Sequence, residues 1–339
     1  MITLADLLAE AVVIRVPLTV PFRGVRERTG VLLRGPAGWG EFAPFPEYAA
    51  DECSHWLDAA VEAAYLGWPP ACRTSVPVNA IVPGVEPEQA ASIAAAGAAR
   101  GCRTVKVKVA AVGGTLAEDA DRIAAVRTVF GGAIRIDANG GWTPDQAVEA
   151  LTVLDRIADG LEYVEQPCPD LAGLAEVRQR VRVPVAADES IRRANDPLAA
   201  ARAGAADLLV VKSAPLGGVR RALSLVAAAG LPAVVSSALE TSVGLSAVLA
   251  LAAALPELDH DCGIGTAALL AADVVAQPLL PVDGALAAGT RPEPDEALLA
   301  AAAARVPMAD KVAWLERFED AWWAGTAGRI GAMMADSRL

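Results

Sequence analysis

The chain has 339 residues, of which 54% are hydrophobic, and it carries a net charge of −12 at pH 7. This length accommodates one barrel of about 250 residues together with a smaller domain. The negative charge argues against nucleic acid or an anionic membrane surface as a partner, and no apolar run reaches the roughly 20 residues that span a bilayer.

Five cysteines are scattered along the chain, without any Cys-x-x-Cys pair. This usage predicts free thiols in a reducing compartment rather than disulfides or a zinc site. The first ten residues contain Asp6 and Glu10 but no lysine or arginine, so they do not resemble a secretory signal. We therefore expect a cytoplasmic location, whereas the sequence leaves the oligomeric state open.

The first 75 residues predict a small α+β domain. Residues 11–20 and 30–34 have the pattern of antiparallel strands, and residues 51–66 have the pattern of a helix. The tail after about Pro281 is rich in alanine and predicted to be helical, and we expect it to return and cover this first domain. Three tryptophans of the tail are available for packing: Trp314, Trp322 and Trp323.

Strand-like and helix-like segments alternate from residue 76 onward. Strands are predicted at residues 76–82, 104–109, 134–138, 163–165, 185–188, 207–212 and 233–236, with residues 260–262 as the weakest of eight candidates. Thr115 and Glu118 resemble a capping box, and Thr143 followed by Pro144 resembles a helix start. Eight such units favour a (β/α) TIM-type barrel over a doubly wound sheet. We therefore predict a capping domain over 1–75, completed by 282–339, and a barrel over 76–281.

Three carboxylates stand at the ends of successive predicted strands: Asp137, Glu165 and Asp188. Because these ends meet at one rim of a parallel barrel, the carboxylates can form an arc around a hard divalent cation. Mg²⁺ suits oxygen ligands, and Mn²⁺ is a possible substitute. The chain has only two histidines, so a histidine-rich zinc or iron site is not expected. Asn139 and Glu189 closely follow two of these carboxylates and are candidates to hydrogen-bond the ligands.

Lys106 and Lys108 alternate with valines in one predicted strand, so both side chains point to the same face. Their mutual repulsion is expected to lower the lysine pKa toward the range in which a neutral amine acts as a base. Lys212 ends a strand further round the barrel and could be an acid/base group, a charge stabiliser or a cation-π partner. With a metal ion, this set predicts removal of a proton next to a carboxylate, followed by elimination or racemisation.

These motifs resemble those of the enolase superfamily in its muconate-lactonizing branch, and within it the o-succinylbenzoate synthase family. The resemblance runs from about residue 12 to residue 281. It is carried by Gly38-Trp-Gly-Glu41, Lys106 with Lys108, Asp137-Ala-Asn139, Glu165-Gln-Pro167, Asp188-Glu-Ser190, Lys212, and the Ser-Ser-Ala-Leu-Glu-Thr-Ser-Val-Gly run over 236–244.

The resemblance implies a modified, enolase-like barrel with an N-terminal α+β capping domain, and Mg²⁺ on the three carboxylates. It implies a syn dehydration of 2-succinyl-6-hydroxy-2,4-cyclohexadiene-1-carboxylate to 2-succinylbenzoate, through an enediolate, in menaquinone biosynthesis. Lys108 would remove the α-proton and then protonate the departing hydroxyl on the same face. Lys106 would hydrogen-bond the substrate carboxylate or the leaving group, and Lys212 would stabilise the ring through a cation-π contact.

The substrate's succinyl tail is expected beside small residues at the ends of the last two strands: Ser236, Ser237, Gly263 and Gly265. The two glycines fit a tight turn equally well. The loop over 22–29, which includes Thr29, could close over the pocket, and Arg23 and Arg26 within it could equally be exposed charges. Gly140-Gly141 stands where some family members have a polar residue, which leaves the contacts on that side of the pocket open.

Two alternatives stay open at the level of sequence. An N-acylamino-acid racemase or dipeptide epimerase of the same branch would use Lys108 and Lys212 as bases on opposite faces of its substrate. An acid/base role for Lys212 separates these activities, because racemisation needs it and syn dehydration does not. A non-catalytic barrel that binds a small anionic acid would retain metal binding without exchange of the α-proton.

Overall fold

The computed structural model describes residues 2–22, 24–193 and 196–336. Its N-terminal layer contains an antiparallel sheet in which β1 (Ala11–Phe22) pairs with β2 (Val25–Gly35), and β2 pairs with β3 (Gly38–Phe42). Helix α1 (Leu4–Ala9) precedes the sheet, and α2 (Ala50–Val61) follows it and continues in a π-helical turn over Glu62–Leu66. The strands and the helix predicted for this part of the chain are confirmed.

The predicted loop over 22–29 is wrong, because β2 already begins at Val25. Strands β1 and β2 form a long hairpin in which Phe22 pairs with Val25. Gly24 supplies the reversal with a φ of 78°, a conformation that glycine adopts without steric cost. Arg23 lies outside the described residues.

Seven parallel strands, neighbours in chain order, form the large sheet. They are β5 (Ala80–Val82), β6 (Thr104–Lys108), β7 (Ala133–Asp137), β8 (Leu161–Glu165), β9 (Val185–Ala187), β10 (Leu208–Val211) and β11 (Ala233–Val235). The helices that connect or follow them are α3 (Pro87–Ala99), α4 (Leu116–Val129), α5 (Pro144–Ala158), α6 (Leu171–Arg180), α7 (Glu189–Arg192), α8 (Ala199–Arg202), α9 (Val219–Ala229) and α10 (Ser242–Ala254).

The first and last predicted barrel strands differ from the expectation. The segment 76–82 is divided: β4 (Ser75–Pro77) pairs antiparallel with β12 (Ala285–Ala287), and only β5 joins the parallel sheet. The eighth candidate is not a regular strand. Single parallel bridges join Gly263 to Ser236 and Cys262 to Val78, so the segment closes the ring between the two outer strands through isolated backbone contacts.

The predicted helix starts are confirmed. The Thr115 hydroxyl accepts a hydrogen bond from the Glu118 amide, and the Glu118 carboxylate accepts one from the Thr115 amide. Thr143 and Gln146 form the same reciprocal arrangement, with Pro144 as the first helical residue. These caps satisfy backbone amides that have no partner within the helix.

The C-terminal tail packs on the N-terminal layer, as expected. It comprises α11 (Glu296–Ala304), α12 (Met308–Ala321), a π-helical turn over Trp322–Thr326 and α13 (Ala327–Asp336). Phe318 and Trp322 are buried in one cluster with Leu7, Val31 and Trp56. Trp314 is partly buried against the same cluster, but Trp323 is exposed and contributes nothing to it. The domain boundaries proposed from the sequence stay predictions.

All five cysteines are free thiols. Among the described residues, no helix combines the length and the apolar composition needed to cross a bilayer.

Candidate active site

The carboxyl ends of the barrel strands bring the predicted lysines and carboxylates together. Lys108 pairs in register with Asp137, and Asp137 with Glu165, so the ends of three adjacent strands meet at one level. All three carboxylates, including Asp188 just after β9, are at most 1% exposed. A small cavity lies at this rim, and Asp137 is the carboxylate that lines it, together with Lys106, Lys108, Lys212, Ser237, Leu239 and Thr266.

Each lysine is paired with a carboxylate of the arc. Lys106 Nζ lies 2.8 Å from Glu165 Oε2 and 3.4 Å from Asp137 Oδ2. Lys108 donates to Asp137 Oδ2, and Lys212 Nζ lies 2.6 Å from Asp188 Oδ2. Buried carboxylates and ammonium groups therefore offset one another across the rim.

Burial and neighbouring charges shift the pKa values of these groups in different directions. Burial, reinforced by the charge of Asp137, raises the pKa of Glu165 to about 7, and burial raises that of Asp188 to about 6. Burial also opposes ionisation of Asp137, but Lys108 and Lys106 outweigh it and hold the pKa of Asp137 below its usual value.

The prediction that repulsion lowers the pKa of the strand lysines is wrong for Lys106. Burial alone would lower it, but Glu165 and Asp137 together raise the Lys106 pKa above its usual value. Burial is the main reason that the pKa of Lys212 is lowered. The carboxylates beside Lys106 thus have a larger effect on its pKa than the second lysine on the same face of the strand.

The carboxylate arc fits a divalent cation by its donor chemistry. Asp137, Glu165 and Asp188 supply oxygen donors from adjacent strand ends, and the buried Glu165 Oε1 has no hydrogen-bond partner within the described part of the chain. As the described side chains stand, no three acidic, histidine or cysteine groups are gathered closely enough to hold an ion. Some of the carboxylate oxygens that could bind a cation are in contact with lysine ammonium groups. An unpartnered carboxylate oxygen in this setting is a position that a cation would satisfy.

Asn139 and Glu189 connect the ends of β7 and β9. The Asn139 amide N–H donates to Asp137 Oδ1 at 3.1 Å, and its side-chain Oδ1 accepts from Lys108 Nζ at 2.7 Å. Asn139 Nδ2 donates to Glu189 Oε1 at 3.1 Å. Asn139 adopts a φ of 46°, a region in which asparagine is tolerated more readily than most residues.

Gln166 and Arg192 also hold the arc, and sequence reasoning assigned neither a role. Gln166 Oε1 accepts from the Asp188 amide at 3.0 Å, which joins the ends of β8 and β9. Arg192 Nε donates to Asp188 Oδ1 at 3.1 Å. The sequence contained a signal for this contact of Arg192. Asp188 precedes the first turn of a helix and Arg192 follows four residues later, a spacing that brings two side chains together.

Of the residues predicted to border the succinyl tail, the two serines line the cavity and the two glycines lie against neighbouring segments of the chain. Ser237 lines the cavity, and its hydroxyl lies 2.6 Å from that of Thr266, which the sequence did not single out. Ser236 lines the cavity too. A Cβ on Gly263 would stand 2.7 Å from Ser236 Oγ, and one on Gly265 would stand 2.8 Å from the backbone oxygen of Asn79. Close approach of neighbouring segments therefore accounts for both glycines.

Residues of the N-terminal layer form hydrogen bonds with the loop that follows β11. Buried Arg28 donates to the Leu239 carbonyl at 3.2 Å and to the Ala238 carbonyl at 3.4 Å. Leu239 has a φ of 66°, which costs free energy for a residue with a side chain. Buried Glu41 accepts from the Thr241 amide at 3.2 Å. The cavity wall is thus held by contacts from outside the barrel.

Other predicted residues lie away from the cavity. Thr29 lies within β2, where its hydroxyl accepts from Arg15 Nε at 3.2 Å, and Arg26 is exposed. Gly140 and Gly141 line a separate surface groove with Trp142. Among the residues of the hairpin turn, Phe22 does reach the cavity, with its ring centroid 5.4 Å from Lys108 Nζ.

Comparison with known proteins gives the same architecture. Residues 13–64 match the enolase N-terminal domain-like family, and residues 88–292 match the enolase C-terminal domain-like family. A muconate lactonizing enzyme from Pseudomonas putida, 23% identical, superposes with a TM-score of 0.71 over 86% of this chain and 98% of that chain. The L-Ala-D/L-Glu epimerase from Bacillus subtilis, in a substrate-liganded complex, is 25% identical with a TM-score of 0.70, over 84% and 96% of the chains. The predicted fold class is confirmed.

Curated relatives of higher sequence identity assign the chain to one family within this superfamily. An o-succinylbenzoate synthase from Thermobifida fusca (strain YX) is 58% identical over 273 residues, which is 80% of this chain and 84% of the relative. An o-succinylbenzoate synthase from Mycobacterium ulcerans (strain Agy99) is 51% identical over 300 residues, which is 88% of this chain and 90% of the relative. The chain therefore belongs to the o-succinylbenzoate synthase family of the enolase superfamily.

Proposed function

We propose that this chain catalyses the Mg²⁺-dependent syn dehydration of 2-succinyl-6-hydroxy-2,4-cyclohexadiene-1-carboxylate to 2-succinylbenzoate, a step of menaquinone biosynthesis. The observation that carries the proposal is that Lys108, Lys106, Lys212 and Asp137 line one cavity. The buried Glu165 and Asp188 lie just behind it, in contact with Lys106 and Lys212. The names of the curated relatives support this substrate over others of the same chemical class. The ligand is thus a small anionic carboxylate.

Asp137, Glu165 and Asp188 would hold the cation. When bound, Mg²⁺ supplies positive charge that stabilises the negative charge developing on the substrate carboxylate, and Mn²⁺ offers the same chemistry. The remaining groups of the cavity then bind the substrate and move protons.

Lys108 is the proposed base and acid. Its Nζ lies at the cavity, held by Asp137 and Asn139, and its side chain is more exposed than that of Lys106. It would remove the α-proton to form the enediolate and return a proton to the departing hydroxyl. One group can perform both transfers because a syn elimination places proton and leaving group on one face.

Lys106 and Lys212 would act mainly through their charge. Lys106 stays close to Glu165 and Asp137, where it can hydrogen-bond the substrate carboxylate or the leaving hydroxyl. Lys212 lines the same cavity beside Asp188 and can face the ring as a cation. Ser236 and Ser237 would border the succinyl tail, and Leu239 and Phe22 help to exclude water.

The test is an ultraviolet assay of the dehydration, with Mg²⁺ and with EDTA, on wild type, Lys108→Ala and the control Lys311→Ala. Lys311 is an exposed lysine of α12, far in sequence from the cavity. We expect metal-dependent conversion that falls by about 10²–10⁴-fold in Lys108→Ala and is unchanged in the control. A folded, metal-loaded wild type without conversion would contradict the proposal.

A racemase or epimerase activity on N-acylamino acids or dipeptides is a second candidate. It is supported by the likeness to the Bacillus subtilis epimerase structure and by the presence of Lys108 and Lys212 on one cavity. Deuterium uptake at the α-carbon of N-succinylamino acids tests it. Racemisation and dehydration by the same wild-type protein would show that both activities coexist, and loss of racemisation in Lys212→Ala would assign Lys212 as the second base.

We also propose the division into a capping domain, 1–75 with 282–339, and a barrel domain over 76–281. The separate family matches over 13–64 and 88–292 support it. A cytoplasmic location is proposed as well, supported by the free state of all five cysteines.

A further inference from the structure

Arg192 is a buried arginine that contacts both acidic residues at the end of β9. It is the last residue of the short helix α7 and is 6% exposed. Its Nε donates to Asp188 Oδ1 at 3.1 Å, and another guanidinium nitrogen donates to Glu189 Oε1. Spacings of four and three residues place the arginine over these two carboxylates, as expected for one helical turn.

The third contact of Arg192 crosses to the N-terminal layer. Its guanidinium also donates to the hydroxyl of Tyr48, which follows β3 and is buried. The Tyr48 ring packs edge-on against Trp56, with ring centroids 5.4 Å apart, so packing within the N-terminal layer fixes the hydroxyl. A continuous set of contacts therefore runs from that layer through Arg192 to Asp188.

Asp188 stands between two cations that differ in kind. Lys212 Nζ contacts Oδ2 at 2.6 Å and also lines the cavity, so its partner can change when substrate enters. Arg192 contacts Oδ1 but does not line that cavity. A guanidinium is planar and permanently charged, and it can serve several acceptors in a fixed geometry, which an ammonium group cannot.

We propose that Arg192 is a positioning residue that fixes the orientation of Asp188 and thereby sets the affinity of the carboxylate arc for a divalent cation. Because Tyr48 belongs to the N-terminal layer and contacts Arg192, this affinity also depends on how that layer packs against the barrel. The inference rests on the proposed function to the extent that Asp188 is a cation ligand. It extends that function with two residues, Arg192 and Tyr48, that are not among the described residues lining the cavity.

Removing Arg192 would take one donor from the buried carboxylate of Asp188 and one from the partly buried carboxylate of Glu189. Among the described residues, Glu189 Oε2 already has no hydrogen-bond partner, so the loss of Arg192 would leave Asn139 as the donor to Glu189 and Lys212 as the cation on Asp188. Tyr48→Phe is the milder change, because it removes one hydroxyl and keeps the ring against Trp56. Arg192→Lys keeps the charge but loses the fork that reaches three acceptors.

The experiment measures Mn²⁺ binding to the full chain without substrate, from the electron paramagnetic resonance signal of free Mn²⁺. The variants are Arg192→Met, Arg192→Lys and Tyr48→Phe, with Arg202→Met as the control. Arg202 likewise ends a four-residue helix, α8, but is exposed and pairs with Asp196. Thermal unfolding of each variant establishes that it is folded.

We expect the Kd for Mn²⁺ to rise about 10–100-fold in Arg192→Met, as for loss of groups that orient metal ligands. Smaller rises are expected in Arg192→Lys and Tyr48→Phe, and none in Arg202→Met. At saturating Mn²⁺, kcat should recover more fully than the metal affinity does, because Arg192 does not touch the substrate. If Arg192→Met does not fold, Tyr48→Phe decides the question.

Two results would overturn the inference, and they differ in what they say of the proposed function. Wild-type affinity in folded Arg192→Met and Tyr48→Phe, with an active, metal-binding wild type, removes the role of Arg192 alone. A folded wild type that does not bind Mn²⁺ removes both the inference and the metal-dependent function. Weakened binding in the variants, with no dehydration by wild type, supports Arg192 and sends the choice of substrate back to the alternatives.

Discussion

The barrel interior buries charge at two levels, and the two levels are organised differently. At the rim, Lys106 and Lys108 share the carboxylates of Asp137 and Glu165. One step deeper on β7, Arg135 is fully buried and points into the same interior. Arg135 contacts Glu162 Oε2 at 2.7 Å, Asn79 Oδ1 at 3.1 Å, the Tyr163 hydroxyl at 3.2 Å and the Asp261 carbonyl at 2.7 Å.

The two levels differ in the neighbours of their charged groups. The deeper Arg135 is surrounded by four oxygen acceptors, although its Nη2, 2.7 Å from Glu162 Oε2, makes no hydrogen bond with the described residues. Glu162 is contacted in turn by His260 at 2.8 Å. At the rim, Glu165 keeps an oxygen without a hydrogen-bond partner among the described residues, and burial together with the charge of Asp137 raises its pKa. A matched buried network stabilises one structure, whereas mismatched groups can bind a ligand and exchange protons. We therefore expect changes at the rim to affect activity and changes at the deeper level to affect stability.

Glu165→Gln should produce the largest effect on activity. It removes one donor of the carboxylate arc, so kcat/KM for the dehydration should fall by about 10³-fold or more, an expected loss of at least about 4 kcal/mol of transition-state stabilisation. It relieves repulsion from Asp137 but also removes the charge that faces Lys106, which keeps Asp137 at 3.4 Å. Because these two effects oppose each other, the free energy of unfolding should change by less than about 1 kcal/mol. Assay and urea unfolding check both parts. A large loss of stability would contradict the contrast between the two levels.

Arg135→Met should give the reverse result. Removing the buried arginine leaves the oxygens of Asn79, Tyr163 and Asp261 without their donor and the partly exposed Glu162 without its arginine. The free energy of unfolding should therefore fall by about 3–5 kcal/mol. Turnover per folded molecule should stay near wild type, since Arg135 does not line the cavity. Urea unfolding and active-site-normalised assays measure the two quantities. A selective loss of turnover would place Arg135 with the rim.

Glu41→Gln tests a buried carboxylate outside the barrel interior. Burial raises the pKa of Glu41 to about 7, although hydrogen bonds from Thr241 oppose this shift. Because the folded state binds the proton more tightly, the contribution of Glu41 to stability is greatest below about pH 4.5 and declines as pH rises to about 7. The decline amounts to about 3 kcal/mol at most.

The measurement compares urea unfolding of wild type and Glu41→Gln at several pH values across that window. The stability of wild type relative to the variant should decrease with rising pH, whereas other carboxylates contribute equally to both proteins. A difference that is constant with pH would show that folding leaves the pKa of Glu41 unshifted, and one that increases with pH would show that folding lowers it; either result contradicts the prediction.

His260→Gln should have the smallest effect. His260 and Glu162 are both partly exposed, at 24% each, so their contact is screened by solvent. The free energy of unfolding should fall by less than about 1 kcal/mol, with no change in turnover. Thermal unfolding checks this at neutral pH. A loss as large as that in Arg135→Met would mean that His260 is an essential part of the matched network.

Much of this protein follows from local sequence patterns. Alternating segments, the capping box at Thr115 and the position of acidic residues at strand ends are encoded within a few residues, because helix and strand periods are local. The same reasoning was wrong where long-range pairing decided the outcome. The first half of the predicted first barrel strand is β4, which pairs with β12 outside the barrel. The predicted loop over 22–29 is instead part of the hairpin formed by β1 and β2. The pKa of Lys106 also depended on carboxylates far along the chain.

The sequence by itself determined the fold class and which residue types stand at the strand ends. The tertiary structure alone decided which of them touch. Contacts such as Arg192 with Tyr48 and Arg28 with Leu239 join residues more than a hundred positions apart. They exist because the barrel closes and the N-terminal layer packs on it, and no periodicity of 2 or 3.6 residues carries that information.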